Sequence, residues 1–303
     1  MSSPTTLKII FILNEGSGPK NKISWRDEIE KYFKDLPHEI YFYKLQKSGN
    51  EKEIIQLIDK YNADRIVAVG GDGTINLVGK ILIDKKLSMG ILKAGSANGL
   101  ATELNIPTAI DKALDVIVGN YTICMDAIKV NEDVSFHLAD VGMNARLIKY
   151  FEESNLRGMW NYARMLMKVL FTKRLMQLTI TTPEETKIIN AYMVVIANAS
   201  KYGSGAVINP NGNLCDGLFE LVIVRQISFT EFVKLFWSYK SFNPKKVEIL
   251  HTTKASLQLR RNNHFQVDGE YKGKLQTVHA EIIPKAVNVL LEKTEMHTIN
   301  QSA

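Results

Sequence analysis

The stretch that most constrains the fold is Arg65-Ile-Val-Ala-Val69 running directly into Gly70-Gly-Asp-Gly-Thr74. Its apolar, β-branched residues read as a buried strand. The three glycines that follow permit backbone conformations closed to other residues and let a ligand come close to the main chain. The apolar spacing of residues 75–83 then predicts a helix, whose first N–H groups and positive dipole end suit phosphate oxygens. Thr74 adds a hydroxyl, and Asp72 can hold a water or a metal ion that bridges phosphates. A tight strand–helix turn capped by Asp or Thr accounts for the same residues without any ligand. No GxxxxGK[ST] sequence occurs, which disfavours a P-loop nucleotidase.

Around this centre, strand-like and helix-like segments alternate. Residues 7–13 and 39–45 predict strands, residues 25–33 and 51–61 predict helices, and residues 89–92 predict a further strand. Such alternation is most economically a mainly parallel α/β layer. A chain of 303 residues is long enough for two domains. The pattern changes near residue 125, where short strand-like runs take over at 125–130, 135–139, 175–182, 188–197, 218–224, 254–259 and 264–267. Helical stretches interrupt them at 156–171 and 230–239, and the tail at 288–292 returns to the first domain. The expected organisation is therefore an α/β nucleotide-binding domain over 1–127, joined by 286–303, and a β-rich domain over 128–285.

Composition removes several function classes. The net charge of +6 favours anionic partners without choosing among them, and no nucleic-acid motif accompanies it. Two cysteines, Cys124 and Cys215, exclude a disulfide framework or a four-cysteine zinc site. No apolar run approaches the roughly 20 residues that span a bilayer, and no cleavage site follows the apolar N-terminal patch. The expectation is a cytoplasmic protein, peripheral at the membrane if its substrate is a lipid. A homo-oligomer is left open.

Three further clusters carry chemistry. Lys93-Ala-Gly-Ser-Ala-Asn-Gly-Leu100 is a second glycine loop after a strand, and ligands of open α/β sheets gather at carboxyl ends of strands. Its Ser96 and Asn98 suit phosphate or ribose. Asn209-Pro-Asn-Gly-Asn-Leu-Cys-Asp-Gly-Leu218 offers oxygens for a hard cation such as Mg²⁺, or is an Asx-rich turn before a strand. In Phe265-Gln-Val-Asp-Gly-Glu270, two acids flank a glycine; either takes a proton from an attacking hydroxyl, or the segment is a plain Asp-Gly hairpin turn.

The four clusters, in this order, resemble the diacylglycerol kinase catalytic-domain family, which includes bacterial lipid kinases and sphingosine kinases. The resemblance runs from about Lys8 to about Leu291. It implies an N-terminal α/β domain like those of NAD kinases and phosphofructokinases, a C-terminal β-sandwich domain, and an active site in the cleft between them. It also implies transfer of the ATP γ-phosphate to a lipid hydroxyl with Mg²⁺. An NAD-kinase-like small-molecule kinase, or a lipid-binding regulator with a lapsed site, is the alternative.

Carried over by position, Gly70, Gly71, Asp72, Gly73, Thr74, Ile75 and Asn76 would hold the nucleotide phosphates. Gly95, Ser96 and Asn98 would serve ATP, with Asn14 toward the adenine. Asn213, Asp216 and the Leu218 carbonyl match a structural metal site of the family. Glu270 falls at the proton acceptor proposed for the bacterial enzymes, with Asp268 beside it. Asp72 competes for that role, as in sphingosine kinases. Asp140, in Ala139-Asp-Val141, is similar to an acid that recognises the lipid headgroup. The first loop departs from the family in reading Asn14-Glu-Gly-Ser-Gly18 where Asn-Pro is usual. The second, Asn98-Gly-Leu-Ala101, is closer to sphingosine kinases than to bacterial relatives.

Overall fold

A computed structural model describes residues 6–14, 24–46, 49–95, 98–153, 174–201, 206–226 and 242–293. The helices expected at 156–171 and 230–239, and Ser96, lie outside these residues. The chain divides into two compact units, Met1–Met125 with Lys285–Ala303, and Asp126–Pro284.

The first unit alternates β1 (Lys8–Leu13), α1 (Trp25–Phe33), β2 (Glu39–Lys44), α2 (Asn50–Tyr61), β3 (Arg65–Gly70), α3 (Asp72–Leu82), β4 (Ser88–Lys93), α4 (Gly99–Glu103) and α5 (Ile110–Val118). Its strands form a parallel sheet in the order β2-β1-β3-β4. Asn288 and Val289, near the end of β14 (Glu270–Leu290), extend it by pairing in parallel with β4. Side chains alternate across a strand. Ile9, Phe11, Leu13, Val67, Val69 and Leu92 therefore share the face that α1 and α5 cover with Ile29, Phe33, Leu114 and Ile117. Helix α3 packs on β3 and touches α2.

Helix α3 begins three residues earlier than its apolar pattern suggested. Gly71 is its N-cap, and the Gly71 carbonyl accepts from both Thr74 N and Ile75 N, at 2.9 and 3.1 Å. Asp72, Gly73 and Thr74 thus form the first turn. Helix α4 is too short for a period to show, whereas α5 carries one in Ile110, Ala113, Leu114 and Ile117 that the sequence reading passed over.

The second unit contains β5 from Asp126 onward (Thr122–Val130), β6 (Asp133–Ser135), β7 (Leu138–Gly142), α6 (Met143–Glu153), β8 (Met176–Thr181), β9 (Thr186–Ala191), β10 (Met193–Ala197), β11 (Phe219–Val224), β12 (Val247–Thr252), β13 (Lys254–Val267) and β14 up to Pro284. Antiparallel pairing gives β12-β11-β10-β7-β13-β14, with β8 on β13 and β9 on β8. One core joins Val194, Ile196, Leu221 and Ile223 to Leu178, Ile180, Leu257 and Val278. The opposite faces of β7, β10 and β11 bury Leu138, Val195 and Val222 against Ile208 and Phe242. Strands with both faces covered read as continuous apolar runs, as β10 does, whereas β7 and β11 are each broken by one buried acid, Asp140 and Glu220.

The run at 188–197 is two strands. It breaks at Tyr192, whose N–H donates to Val224 and whose carbonyl accepts from Met143 N. The runs at 254–259 and 264–267 are one strand with a register shift between Gln258 and Asn263. The run at 135–139 is interrupted at Phe136 and His137, for a reason found in the site itself.

Candidate functional site

In the first unit the two glycine loops lie in backbone contact. A Cβ on Gly71 would stand 3.1 Å from the Gly95 Cα, and one on Gly95 would reach Gly71 N at 2.8 Å. Neither position has room for a side chain, so the glycines are required by the approach itself. The Asp72 carboxylate reinforces the junction by accepting from Gly99 N at 2.8 Å and Leu100 N at 3.0 Å. It thereby satisfies orphan donors at the start of α4, which Asn98 precedes in a left-handed conformation. Asn98 also closes its own loop, accepting from Gly95 N and donating to the Gly95 carbonyl.

Thr74 is 2% exposed, and its Oγ1 accepts from Asn14 Nδ2 at 3.1 Å. This brings the end of β1 to the first turn of α3, supported by Asn14 N donating to Val69. Asn14, Gly70, Gly71, Asp72, Thr74, Gly95 and Asn98 are thus one cluster at the carboxyl ends of β1, β3 and β4. Ile75 is buried beneath it. Gly73 differs from the other glycines: nothing lies within 4 Å of the side chain it lacks.

In the second unit, Asp268 and Gly269 form the two-residue turn between β13 and β14, with φ of 47° and 87°. Positive φ at both positions is the geometry Asp-Gly hairpins favour. The Asp268 carboxylate accepts four hydrogen bonds, from Ser135 Oγ, Phe136 N, His137 N and Leu138 N, at 2.6 to 3.2 Å. Those bonds take the main chain between β6 and β7 out of the sheet. Asp268 is consequently an organiser of the backbone, a role its place in the Asp-Gly-Glu segment did not suggest. Glu270, by contrast, has its side chain 68% exposed, with Lys272 Nζ at 3.2 Å.

Asp140 is fully buried, and its carboxylate accepts from Asn144 Nδ2, Ala145 N and Gln266 Nε2 at 2.6, 2.8 and 2.5 Å. Burial pushes its pKa up to about 6, against the opposing pull of those three donors. Gln266 also accepts from Gly269 N at 2.8 Å, and so ties Asp140 to the turn that precedes Glu270.

The segment 213–218 is built from Asx turns. Asn213 Oδ1 accepts from Cys215 N, and Asp216 Oδ1 accepts from Leu218 N. Asp126 grips it, its carboxylate accepting from Gly217 N at 2.7 Å and its N–H donating to the Leu214 carbonyl. Asn198 Nδ2 then bridges the carbonyls of Asp126 and Phe136. A polar chain results, from Gly217 through Asp126, Asn198, Phe136 and Asp268, and by way of Gly269 to Gln266 and Asp140. Sequence reasoning missed Asp126, Asn198 and Gln266. The available signal was a polar residue inside an otherwise apolar strand, as in Met125-Asp-Ala-Ile128.

Donor chemistry here is compatible with a hard cation. Asn213 Oδ1, the Asp216 carboxylate and the Leu218 carbonyl are oxygens of the kind Mg²⁺ takes. Nearby buried oxygens, Asn198 Oδ1 and Asn209 Oδ1, have no partner among the described residues. Among the described residues no three His, Cys, Asp or Glu side chains converge, so such a site would depend on amide and carbonyl oxygens.

Two family descriptions match the chain, "Diacylglycerol kinase catalytic domain" over residues 8–130 and "YegS C-terminal NAD kinase beta sandwich-like domain" over residues 138–291. The lipid kinase YegS of Escherichia coli K12 is 27% identical over 258 residues, covering 81% of this chain and 84% of that protein. A putative diacylglycerol kinase from Bacillus anthracis superposes with a TM-score of 0.74 at 15% identity, covering 95% of this chain and 98% of that one. An NAD kinase from Archaeoglobus fulgidus in complex with ATP gives a TM-score of 0.55 at 12% identity, covering 98% of both chains. With an α/β sheet carrying two joined glycine loops and a β-sandwich following it, the chain belongs to the diacylglycerol kinase catalytic-domain family, in the form that carries a YegS-type C-terminal domain.

Proposed function

We propose that the protein is a lipid kinase that transfers the γ-phosphate of ATP to the hydroxyl of a diacylglycerol-type or sphingoid lipid. The observation that carries this reading is the locked pair of glycine loops at the open first turn of α3. Phosphoryl transfer asks a protein mainly for positioning and charge neutralisation. The main-chain N–H groups of Asp72 and Gly73, ahead of the first internal bonds of α3, would donate to phosphate oxygens, and the absence of a side chain at Gly73 leaves that turn approachable. Asn14, Gly95, Ser96 and Asn98 complete the nucleotide side.

Glu270 is the proton acceptor in this scheme. The lipid oxygen attacks the γ-phosphorus, its proton passes to the Glu270 carboxylate, and the bond to the β,γ-bridging oxygen breaks to release ADP. The exposure of Glu270 supports it over Asp72, whose carboxylate is already committed to Gly99 N and Leu100 N. Asp140, through Gln266, would orient the headgroup side of the same hairpin. Asn213, Asp216 and the Leu218 carbonyl would hold Mg²⁺, a cation that when bound adds positive charge and rigidity to its surroundings. No described helix is long and apolar enough to cross a membrane, so a lipid acceptor would be met at a membrane surface.

The test is label transfer. Purified protein is incubated with γ-labelled ATP and Mg²⁺ in mixed micelles of diacylglycerol, monoacylglycerol, a sphingoid base or ceramide, and the organic phase is counted. Label in one lipid identifies the acceptor. No label in any lipid, with ATP still bound, overturns the lipid acceptor in favour of a water-soluble one such as NAD, or of a lapsed site.

A further inference from the structure

The second unit holds a cavity of about 570 Å³ between the start of α6, the chain entering β8 and the irregular part of β13. Arg146, Arg174, Arg260, Arg261 and Lys274 line it, from α6, the segment before β8, β13 and β14. No Asp or Glu is among its described lining residues. A net charge of only +6 for the whole chain means that five cations around one cavity are a local concentration.

The consequence is visible in the His264 ring, which sits in the lining with Nδ1 2.8 Å from the Tyr271 hydroxyl. Burial first, then the charges of Lys274, Lys149, Arg146 and Arg174, push its pKa down to about 4. Arg146 is almost fully buried, and both burial and the nearby Arg174 disfavour its charge, with Tyr150 opposing. Holding like charges together in a partly dehydrated space raises the free energy of the empty protein, and an anion entering that space relieves it.

We propose that this cavity is a binding site for a small phosphate-bearing anion of the glycerophosphate type. Arginine guanidinium groups match phosphate oxygens in a bidentate manner, which a simple counter-ion would not use. The volume lies within the range of small-molecule pockets and is far larger than the roughly 30 Å³ share of a water. The chemistry is shared by a soluble phosphate ester and by an acidic phospholipid headgroup. It is independent of the kinase assignment, because the probes below report binding and not turnover.

The experiment uses the full chain with labelled histidine. Glycerol 3-phosphate should shift the His264 ring resonances and raise their titration midpoint, since an adjacent anion favours the charged imidazolium. The double variant Arg261→Glu/Lys274→Glu, changed at exposed positions, should weaken binding by about tenfold or more while its thermal midpoint stays near that of the parent. Lys112→Glu/Lys129→Glu makes the same change in net charge elsewhere on the surface and should leave binding intact. Vesicles of phosphatidylcholine with and without phosphatidic acid separate the two sources. Binding to the acidic vesicles that glycerol 3-phosphate competes away assigns a lipid headgroup, and binding of the soluble ester alone assigns a soluble ligand. Absence of binding by both, or equal loss in the two double variants, overturns the site.

Discussion

Asp140 offers a quantitative test of the polar chain in the second unit. Its folded pKa is raised from 3.8 to about 6, with burial as the dominant cause. For an acid shifted upward, the folded state binds more protons than the unfolded state between those two values. The contribution is therefore fully present below about pH 3.8 and is lost as pH rises through about 6. At 1.36 kcal/mol for each tenfold change in proton affinity, the loss is about 3 kcal/mol. Asp140→Asn removes the titration while keeping an oxygen that can accept from Ala145 N. It also introduces donors facing Gln266 and Asn144, which shifts stability by an amount independent of pH. The assay is urea unfolding followed by circular dichroism at steps between pH 3.5 and 7.5. The wild type should lose about 3 kcal/mol relative to Asp140→Asn across that range. A constant difference at every pH would refute the reasoning, because it would mean that the carboxylate is not held in a dehydrated site.

Gly95→Ala should destabilise the first unit by about 1–3 kcal/mol in chemical unfolding and lower ATP affinity, because its Cβ meets the Gly71 backbone. Gly73→Ala should fold as well as the parent or slightly better, since its Cβ meets nothing, yet lose ATP binding in calorimetry; unchanged affinity would remove the phosphates from that turn. Asp268→Ala should cost roughly 3 kcal/mol in unfolding, as four donors lose their acceptor, and Asp268→Asn should recover part of it. Glu270→Gln, at an exposed position, should leave the unfolding midpoint unchanged and reduce turnover by about a hundredfold or more. Near-normal turnover would return the proton acceptor to Asp72.

What was legible in the sequence was what depends on neighbours along the chain. Residues 25–33 carry both a helical period and Ser24, whose Oγ accepts from Asp27 N, and the helix occupies those positions. The start of α3 was misplaced because glycines argue against helix, whereas here Gly71, fixed by its contact with Gly95, caps the helix through its carbonyl and Gly73 falls in the first turn. The division of 188–197 at Tyr192 depends on Val224 and Met143, partners that no local pattern announces. Most of β14 was missed because its exposed face alternates Lys272, Lys274 and Gln276 with half-buried residues, which dilutes the apolar signal. In the candidate site, the glycine loops and the Asp-Gly turn were visible as motifs. The assignments of Asp72 to Gly99 and of Asp268 to Phe136–Leu138 were not, since each joins residues 27 to 132 positions apart.

The order in which the chain is synthesised gives the first unit an unusual dependence. Its sheet is finished only by Asn288 and Val289 beside β4, with Leu291 N donating to the Tyr121 carbonyl. A ribosome making about 5–20 residues per second reaches that strand roughly 10–30 s after Met125. Throughout that interval β4, although its residues 89–92 are buried in the finished protein, stands as an unpaired sheet edge on the nascent chain. The glycine loops at the ends of β3 and β4 are thus among the first motifs translated and among the last to receive a completed sheet beneath them.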